Sequence, residues 1–168
     1  MIASSSVTRN LKKDRLTKEC ENGSIELHQF NGKKAQYITR YMLPHVEEVN
    51  PHTVLLACGG NDLPARKVSD HVIQDIANYL IVGGLECRER LGVTKVIISS
   101  VLPRADSHFQ GNRHKLNKVL RDLCAEHNFI FLENSNVILR EHICYDGVHL
   151  NDSGSELFHM TISSILNR

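Results

Sequence analysis

The sequence predicts an α/β protein of three layers, α/β/α, around a mainly parallel five-stranded sheet. Three observations carry this. Apolar runs of strand length alternate with amphipathic segments of helix length, the β-α-β order that parallel sheets require. The strand runs are almost unbroken in apolar residues, as strands buried on both faces are. The chain has 168 residues, 41% of them hydrophobic and 23% charged, which suits one domain with a sizeable core.

The elements follow in order. Met1-Ile2-Ala3 is a stub of a first strand, shorter than the usual five or so residues. That brevity leads us to expect residues 1–168 to be a single domain excised from a longer chain. Ile25 to Phe30 reads as the second strand, and Ala35 to Val49 as a helix with Ile38, Tyr41, Met42, Val46 and Val49 at helical spacing. Thr53 to Cys58 is a buried strand. Ser69 caps a helix carrying Val72, Ile73, Ile76, Ala77, Leu80 and Ile81, which Gly83-Gly84 is expected to weaken or kink before Leu85 to Leu91. Lys95 to Val101 is a β-branched strand. Asn112 to His127 reads as a helix with Leu116, Val119, Leu120 and Leu123. Phe129 to Leu132 is the last strand, and Ser153 to Leu166 the last helix, with Leu157, Phe158, Ile162 and Ile165.

Composition excludes several classes. Twenty basic and nineteen acidic residues give a net charge of +1, so electrostatics alone point to no nucleic-acid or membrane surface. The five cysteines form no CxxC pair, and Cys58, Cys87 and Cys124 sit in apolar surroundings. This favours a reducing, intracellular and cytoplasmic setting over a disulfide framework or a zinc site. No metal or cofactor is expected. No apolar run is long enough to span a bilayer, and no signal peptide is expected. The ten histidines lie mostly among polar neighbours and, His149 apart, read as surface residues.

Ligands of parallel sheets bind beyond the carboxyl ends of the strands, so chemistry is sought there. Ser4-Ser5-Ser6 follows the first strand, Asn31-Gly32 the second and Gly59-Gly60-Asn61-Asp62 the third. Tyr145 to Asn151 precedes the last helix and places Asp146 three residues before His149, with Gly147 to allow a tight turn. A carboxylate that fixes the tautomer of an imidazole makes it an effective general base, and a serine is a poor nucleophile until such a base takes its proton. Each piece has a plainer reading. The serines could be a polar tail, with Ser4 or Ser5 as other candidates. Gly32 could be a turn glycine, Asn61-Asp62 a helix-capping loop, and Asp146 with His149 a surface pair or two ligands of a metal.

Taken together, in order along the chain, these residues resemble the SGNH (GDSL-like) hydrolase superfamily. Gly59-Gly60-Asn61-Asp62 matches its G-x-N-D block and Asp146-Gly147-Val148-His149 its D-x-x-H block, while Gly32 falls at the family's second-block glycine. The first block, G-D-S before an apolar residue, is matched only in Ser6 and Val7; serines replace the Gly and the Asp. The resemblance implies a flavodoxin-like SGNH fold and a serine esterase acting through an acyl-enzyme on short acyl or acetyl esters, acetylated sugars among them. It implies Ser6 as nucleophile, His149 as general base and Asp146 as its orienter. It also implies an oxyanion hole of the Ser6 N–H, the Gly32 N–H and the Asn61 side-chain amide. Ser4 in place of glycine is expected to alter the turn before Ser6, and this supports an alternative. In that reading the chain is a weak or inactive module for self-association or for binding RNA or lipid, and homo-oligomerisation stays open.

A narrower similarity runs through Ile98 to Arg104, Asn117 to Leu123 and Leu132-Glu133-Asn134-Ser135-Asn136. These segments resemble the esterase domains of LINE-type retrotransposon first-open-reading-frame proteins from animals. That likeness implies one module of a longer protein, with nucleic-acid binding mainly outside this domain. Loops 63–68 and 104–113 carry Arg66, Lys67, Arg104 and Arg113, which could meet an anionic substrate but read more simply as a solvated face.

Overall fold

A computed structural model of the chain describes residues 1–21, 23–134 and 138–168, with Val7 described by its backbone alone. Ser135 and Asn136 of the narrower similarity, and the Val7 side chain of the first block, lie outside the described residues. Five parallel strands form one sheet: β1 (Ile2–Ser4), β2 (Leu27–Gln29), β3 (Thr53–Ala57), β4 (Lys95–Ser99) and β5 (Ile130–Leu132). Their order is β2-β1-β3-β4-β5, the flavodoxin-like arrangement, whose switch point lies between β1 and β3.

Strand residues alternate between the faces, and both faces are apolar. Ala3, Leu56 and Ile98 face a core with α2 (Ala35–Val49), α3 (Asp70–Leu85) and α4 (Ser107–Glu126). Ile2, Leu55 and Ile97 face a second core with α1 (Lys13–Glu19) and α5 (Asp152–Leu166). Phe158 and Ile162 of α5 and Leu16 of α1 are almost wholly buried in it. Full burial of each such side chain contributes about 1.5–3 kcal/mol.

Several elements differ from the sequence reading. α1 has no counterpart there, because seven mostly charged residues bury a single apolar one, Leu16. α4 begins at Ser107 rather than Asn112, since the Asp106 carboxylate accepts a hydrogen bond from the Phe109 N–H (2.7 Å) and caps the helix earlier. Gly83 and Gly84 do not break α3. They are contact points: a Cβ at Gly83 would lie 2.6 Å from Thr39 Cγ2, and one at Gly84 2.7 Å from Phe129 Cε2. The helix instead loosens one turn later, into π-helix over Glu86–Arg90. The sheet strands β2 and β4 are also shorter than Ile25 to Phe30 and Lys95 to Val101.

Candidate active site

Ser6 opens a single turn of 3₁₀-helix immediately after β1, so its side chain stands at the carboxyl edge beside the switch point. The turn needs no glycine. Ser5 has φ −83° and ψ −164°, and among the described residues the positive-φ ones other than glycine are Asn50 and Asn128, both remote from it in sequence. The expected distortion at Ser4 is therefore corrected: the backbone there is extended, which any residue adopts. In place of the missing carboxylate stands a buried hydroxyl network. The Ser4 and Thr8 hydroxyls bond each other, and Gln29 Nε2 donates to the Thr8 carbonyl (2.6 Å) and hydroxyl (3.2 Å). These bonds tie the first turn of chain after Ser6 to β2.

The loop of Asp146 and His149 is a small hairpin. Ile143 and Leu150 form an antiparallel bridge, and the Cys144 N–H donates to the His149 carbonyl at 2.7 Å. Gly147, at φ +72°, lets the loop turn, and its carbonyl accepts from the Ala105 N–H (2.8 Å), docking the loop on the segment after β4. Asn151 closes it by capping α5: its Oδ1 accepts from the Gly154 N–H (2.9 Å), while its Nδ2 donates to the Glu141 carbonyl (2.7 Å).

Within this frame Asp146 does two jobs. Its Oδ1 accepts from the backbone N–H groups of Val148 (2.9 Å) and His149 (3.0 Å), and its Oδ2 meets His149 Nδ1 at 2.8 Å. The backbone bond from His149, the imidazole bond and the Val148 bond together hold the Asp146 carboxyl far below the usual carboxylate range. The other imidazole nitrogen, Nε2, lies 3.3 Å from Ser6 Oγ. Three residues from opposite ends of the chain thus form one hydrogen-bonded series, hydroxyl to imidazole to carboxylate.

The expected donors Gly32 and Asn61 follow β2 and β3 at the same carboxyl edge of the sheet. Among the described residues, the N–H groups of Ser6 and Gly32 bond no acceptor within the protein. Gly32 sits in the turn from β2 to α2 at φ +72°. Asn61 is linked to that turn, since its Nδ2 donates to the carbonyl of Lys33 (3.2 Å). Its Oδ1 accepts from Arg104 Nη2 at 2.8 Å. Asp62 takes no part in this cluster. It caps α2, accepting from the Ala35 N–H at 2.9 Å, and burial pushes its carboxyl up. Arg104, read from the sequence as a solvated cation, is half-buried and lines the cavity beside Ser6; no motif spacing could have shown its bond to Asn61.

That cavity is small. It measures about 30 Å³ and is walled by Ser5, Ser6, Ser100, Leu102, His149 and Phe158, among others. A drug-sized ligand site takes roughly 300–1,000 Å³, and a single water, measured in the same way as this cavity, about 10–15 Å³.

The cysteines and His159 are placed as follows. All five cysteines are free, with Cys58, Cys87 and Cys124 buried; burial pushes the Cys87 thiol up to about 11 and that of Cys124 to about 12. His159 is not a surface residue: it is 3% exposed and bonds Glu19 at 2.8 Å. Among the described residues no group of three potential metal ligands occurs, and no helix is long and apolar enough to cross a membrane.

No protein-family model and no curated protein matches the chain. Solved structures do. A lipase/acylhydrolase from Enterococcus faecalis is 19% identical with a TM-score of 0.77, over 99% of this chain and 93% of that one. A member of the lipolytic protein G-D-S-L family from Veillonella parvula gives 16% and 0.78, over 99% and 97%. A catalytic mutant of Axe2, an acetylxylan esterase from Geobacillus stearothermophilus, gives 12% and 0.78, over 98% and 92%. At such identities the likeness is one of fold: the chain has the three-layer α/β fold of SGNH hydrolases.

Proposed function

We propose that this chain is a serine ester hydrolase for acetyl and other short acyl esters, with Ser6 as nucleophile, His149 as general base and Asp146 as its orienter. The observation that carries the reading is the unbroken series Ser6 Oγ, His149 Nε2, His149 Nδ1, Asp146 Oδ2, with steps of 3.3 and 2.8 Å, at the sheet's switch point. Its parts follow the logic of nucleophile, base and orienter. Ser6 Oγ attacks the acyl carbon while its proton passes to His149 Nε2. The carbonyl oxygen takes the negative charge and meets the Ser6 and Gly32 N–H groups and Asn61 Nδ2. The intermediate collapses, and His149 returns the proton to the departing alkoxide, leaving an acyl-enzyme. Water then attacks, gives its proton to His149, and Ser6 Oγ leaves and recovers that proton. Asp146 stays a carboxylate throughout, stabilising the imidazolium.

The cavity of about 30 Å³ supports acetyl as the preferred acyl group. Acetylated sugars are a natural class of acetyl ester, and one solved structure of this fold is an acetylxylan esterase. We further propose, on the similarity of Ile98 to Arg104 and Asn117 to Leu123, that the domain is a module of a retrotransposon-encoded protein with its nucleic-acid contacts mainly elsewhere. A non-catalytic module remains the competing reading. Its premise was a damaged turn before Ser6, and the extended Ser4–Ser5 backbone weighs against it.

The test is hydrolysis of p-nitrophenyl acetate by the purified chain, with Ser6→Ala and a fluorophosphonate label as controls. Turnover lost in Ser6→Ala and a label on Ser6 are expected. A wild-type chain inert on a broad ester panel and unlabelled would favour the binding module.

A further inference from the structure

We infer that Arg104 is a positioning residue that holds and polarises the Asn61 amide for its part in the oxyanion hole, an inference that rests on the esterase reading above. The argument begins with a carboxamide that is easily misplaced. Rotated by half a turn, Asn61 would present its oxygen where its Nδ2 should be, and a negative charge developing there would be repelled. Two contacts set the orientation: Nδ2 donates to the Lys33 carbonyl (3.2 Å), and Oδ1 accepts from Arg104 Nη2 (2.8 Å). The second is shorter and comes from a charged donor. One Nδ2 hydrogen is used by Lys33, and the other is left for substrate.

Arg104 is built into this place. Its guanidinium lies 4.7 Å from the centre of the Phe109 ring, and Gln110 Nε2 donates to its backbone carbonyl. Gly60 gives it room, because a Cβ there would come within 3.3 Å of Nη2. It forms no ion pair with a carboxylate among the described residues, and burial pulls its pKa down from the ordinary value. A guanidinium left without a counter-ion keeps its full pull on the one oxygen it touches. Withdrawal of electron density from Oδ1 makes the N–H at the other end of the amide a stronger donor, since hydrogen bonds in series reinforce one another. Gly60 and Arg104 thus form a pair, one supplying space and the other charge.

Kinetics of Arg104→Met, Arg104→Lys, Asn61→Ala and the Arg104→Met/Asn61→Ala double variant on p-nitrophenyl acetate test this. Removing one oxyanion donor typically costs ~10²–10³ in kcat, so loosening one should cost roughly tenfold. The expected result is that loss in kcat for Arg104→Met with KM unchanged, partial rescue by Arg104→Lys, and no further loss when Arg104→Met is added to Asn61→Ala. An equal proportional loss in both backgrounds would overturn the inference while leaving Asn61 as a donor. A wild-type rate in Asn61→Ala would overturn the donor assignment and the inference with it. The side-chain amide resonances of Asn61, assigned by their disappearance in Asn61→Ala, provide a readout that needs no turnover. They should shift in Arg104→Met and return toward the wild-type position in Arg104→Lys; unmoved signals in a folded Arg104→Met protein overturn the inference.

Discussion

Asp146→Asn separates the two tasks of one carboxylate. Asn supplies an oxygen for the Val148 and His149 N–H groups, as Oδ1 does now at 2.9 and 3.0 Å, so the hairpin survives. Its Nδ2 then faces His149 Nδ1, where Oδ2 stood at 2.8 Å. A donor in that place forces the imidazole into the tautomer with the proton on Nε2, which cannot take a proton from Ser6. In serine proteases this change costs about 10⁴ in kcat. The site could escape by flipping the new amide, but that sets its NH₂ against two backbone donors. Each lost hydrogen bond is worth about a factor of five, so the flipped form is disfavoured roughly 25-fold. The loss in kcat should therefore lie between roughly 25-fold and 10⁴-fold, with circular dichroism and thermal midpoint close to wild type. The assay is steady-state p-nitrophenyl acetate hydrolysis, with Ser6→Ala as the zero. The pH profile adds a check of sign. The Asp146 carboxyl is depressed in the folded protein, so its contribution is present above the ordinary carboxylate pKa and is lost only in strong acid. A kcat within threefold of wild type for Asp146→Asn would refute the assignment of Asp146 as the orienter.

Three further outcomes follow from the packing. The cavity of about 30 Å³ should make kcat/KM fall at least about tenfold from acetyl to hexanoyl p-nitrophenyl esters; a flat profile would show that the acyl chain lies elsewhere. Asn117 bridges the Val101 N–H (2.8 Å) and carbonyl (3.1 Å) while 6% exposed, so Asn117→Ala strands two buried backbone groups. It should cost about 2–4 kcal/mol, or roughly 5–15 °C in Tm by calorimetry, and a change under 2 °C would contradict the bridge. Gly83→Ala places a Cβ 2.6 Å from Thr39 Cγ2, and an overpacking cost of about 1–3 kcal/mol exceeds the helix-propensity gain of about 1 kcal/mol. A small net loss in urea midpoint is expected; a gain would show that α2 and α3 separate freely.

What was legible in the chain was whatever a local pattern carries. Thr53 to Cys58 reads as a buried strand because its residues are apolar without interruption, and Ala35–Val49 as a helix because its apolar positions recur at the helical period. Gly59, at φ +102°, and the Asp146–His149 spacing are likewise visible, since a turn and a short-range hydrogen bond are local events. What escaped depends on partners distant in sequence. Gly83 and Gly84 look like helix breakers until Thr39 and Phe129 arrive against them from other elements. α1 is held by Leu16 under α5 and by ion pairs of Arg15 with Glu19 and Glu156, which no period in seven residues reveals. His159 is buried by the same packing.

The first block shows the same division. A glycine and an aspartate before the serine are the familiar sequence signal, and this chain has neither. Their absence suggests a damaged site only if the turn requires positive φ or a charge, and it requires neither. β1 carries the chain to Ser4 in extended form, Ser5 stays extended, and the Ser6 N–H is left free as the 3₁₀ turn begins. The bonds that a carboxylate could supply come instead from the buried Ser4 and Thr8 and from Gln29, three neutral groups at the β1–β2 edge. Neutral partners suit that position, because an unpaired carboxylate there would carry a desolvation cost and oppose the negative charge that forms on the substrate a few bonds away. Gln29 is two residues before Asn31-Gly32, so the strand that anchors the nucleophile's turn is also the one that presents the second donor. Ser6 and Gly32 are therefore fixed to each other through β1 and β2, independently of the loop that brings His149.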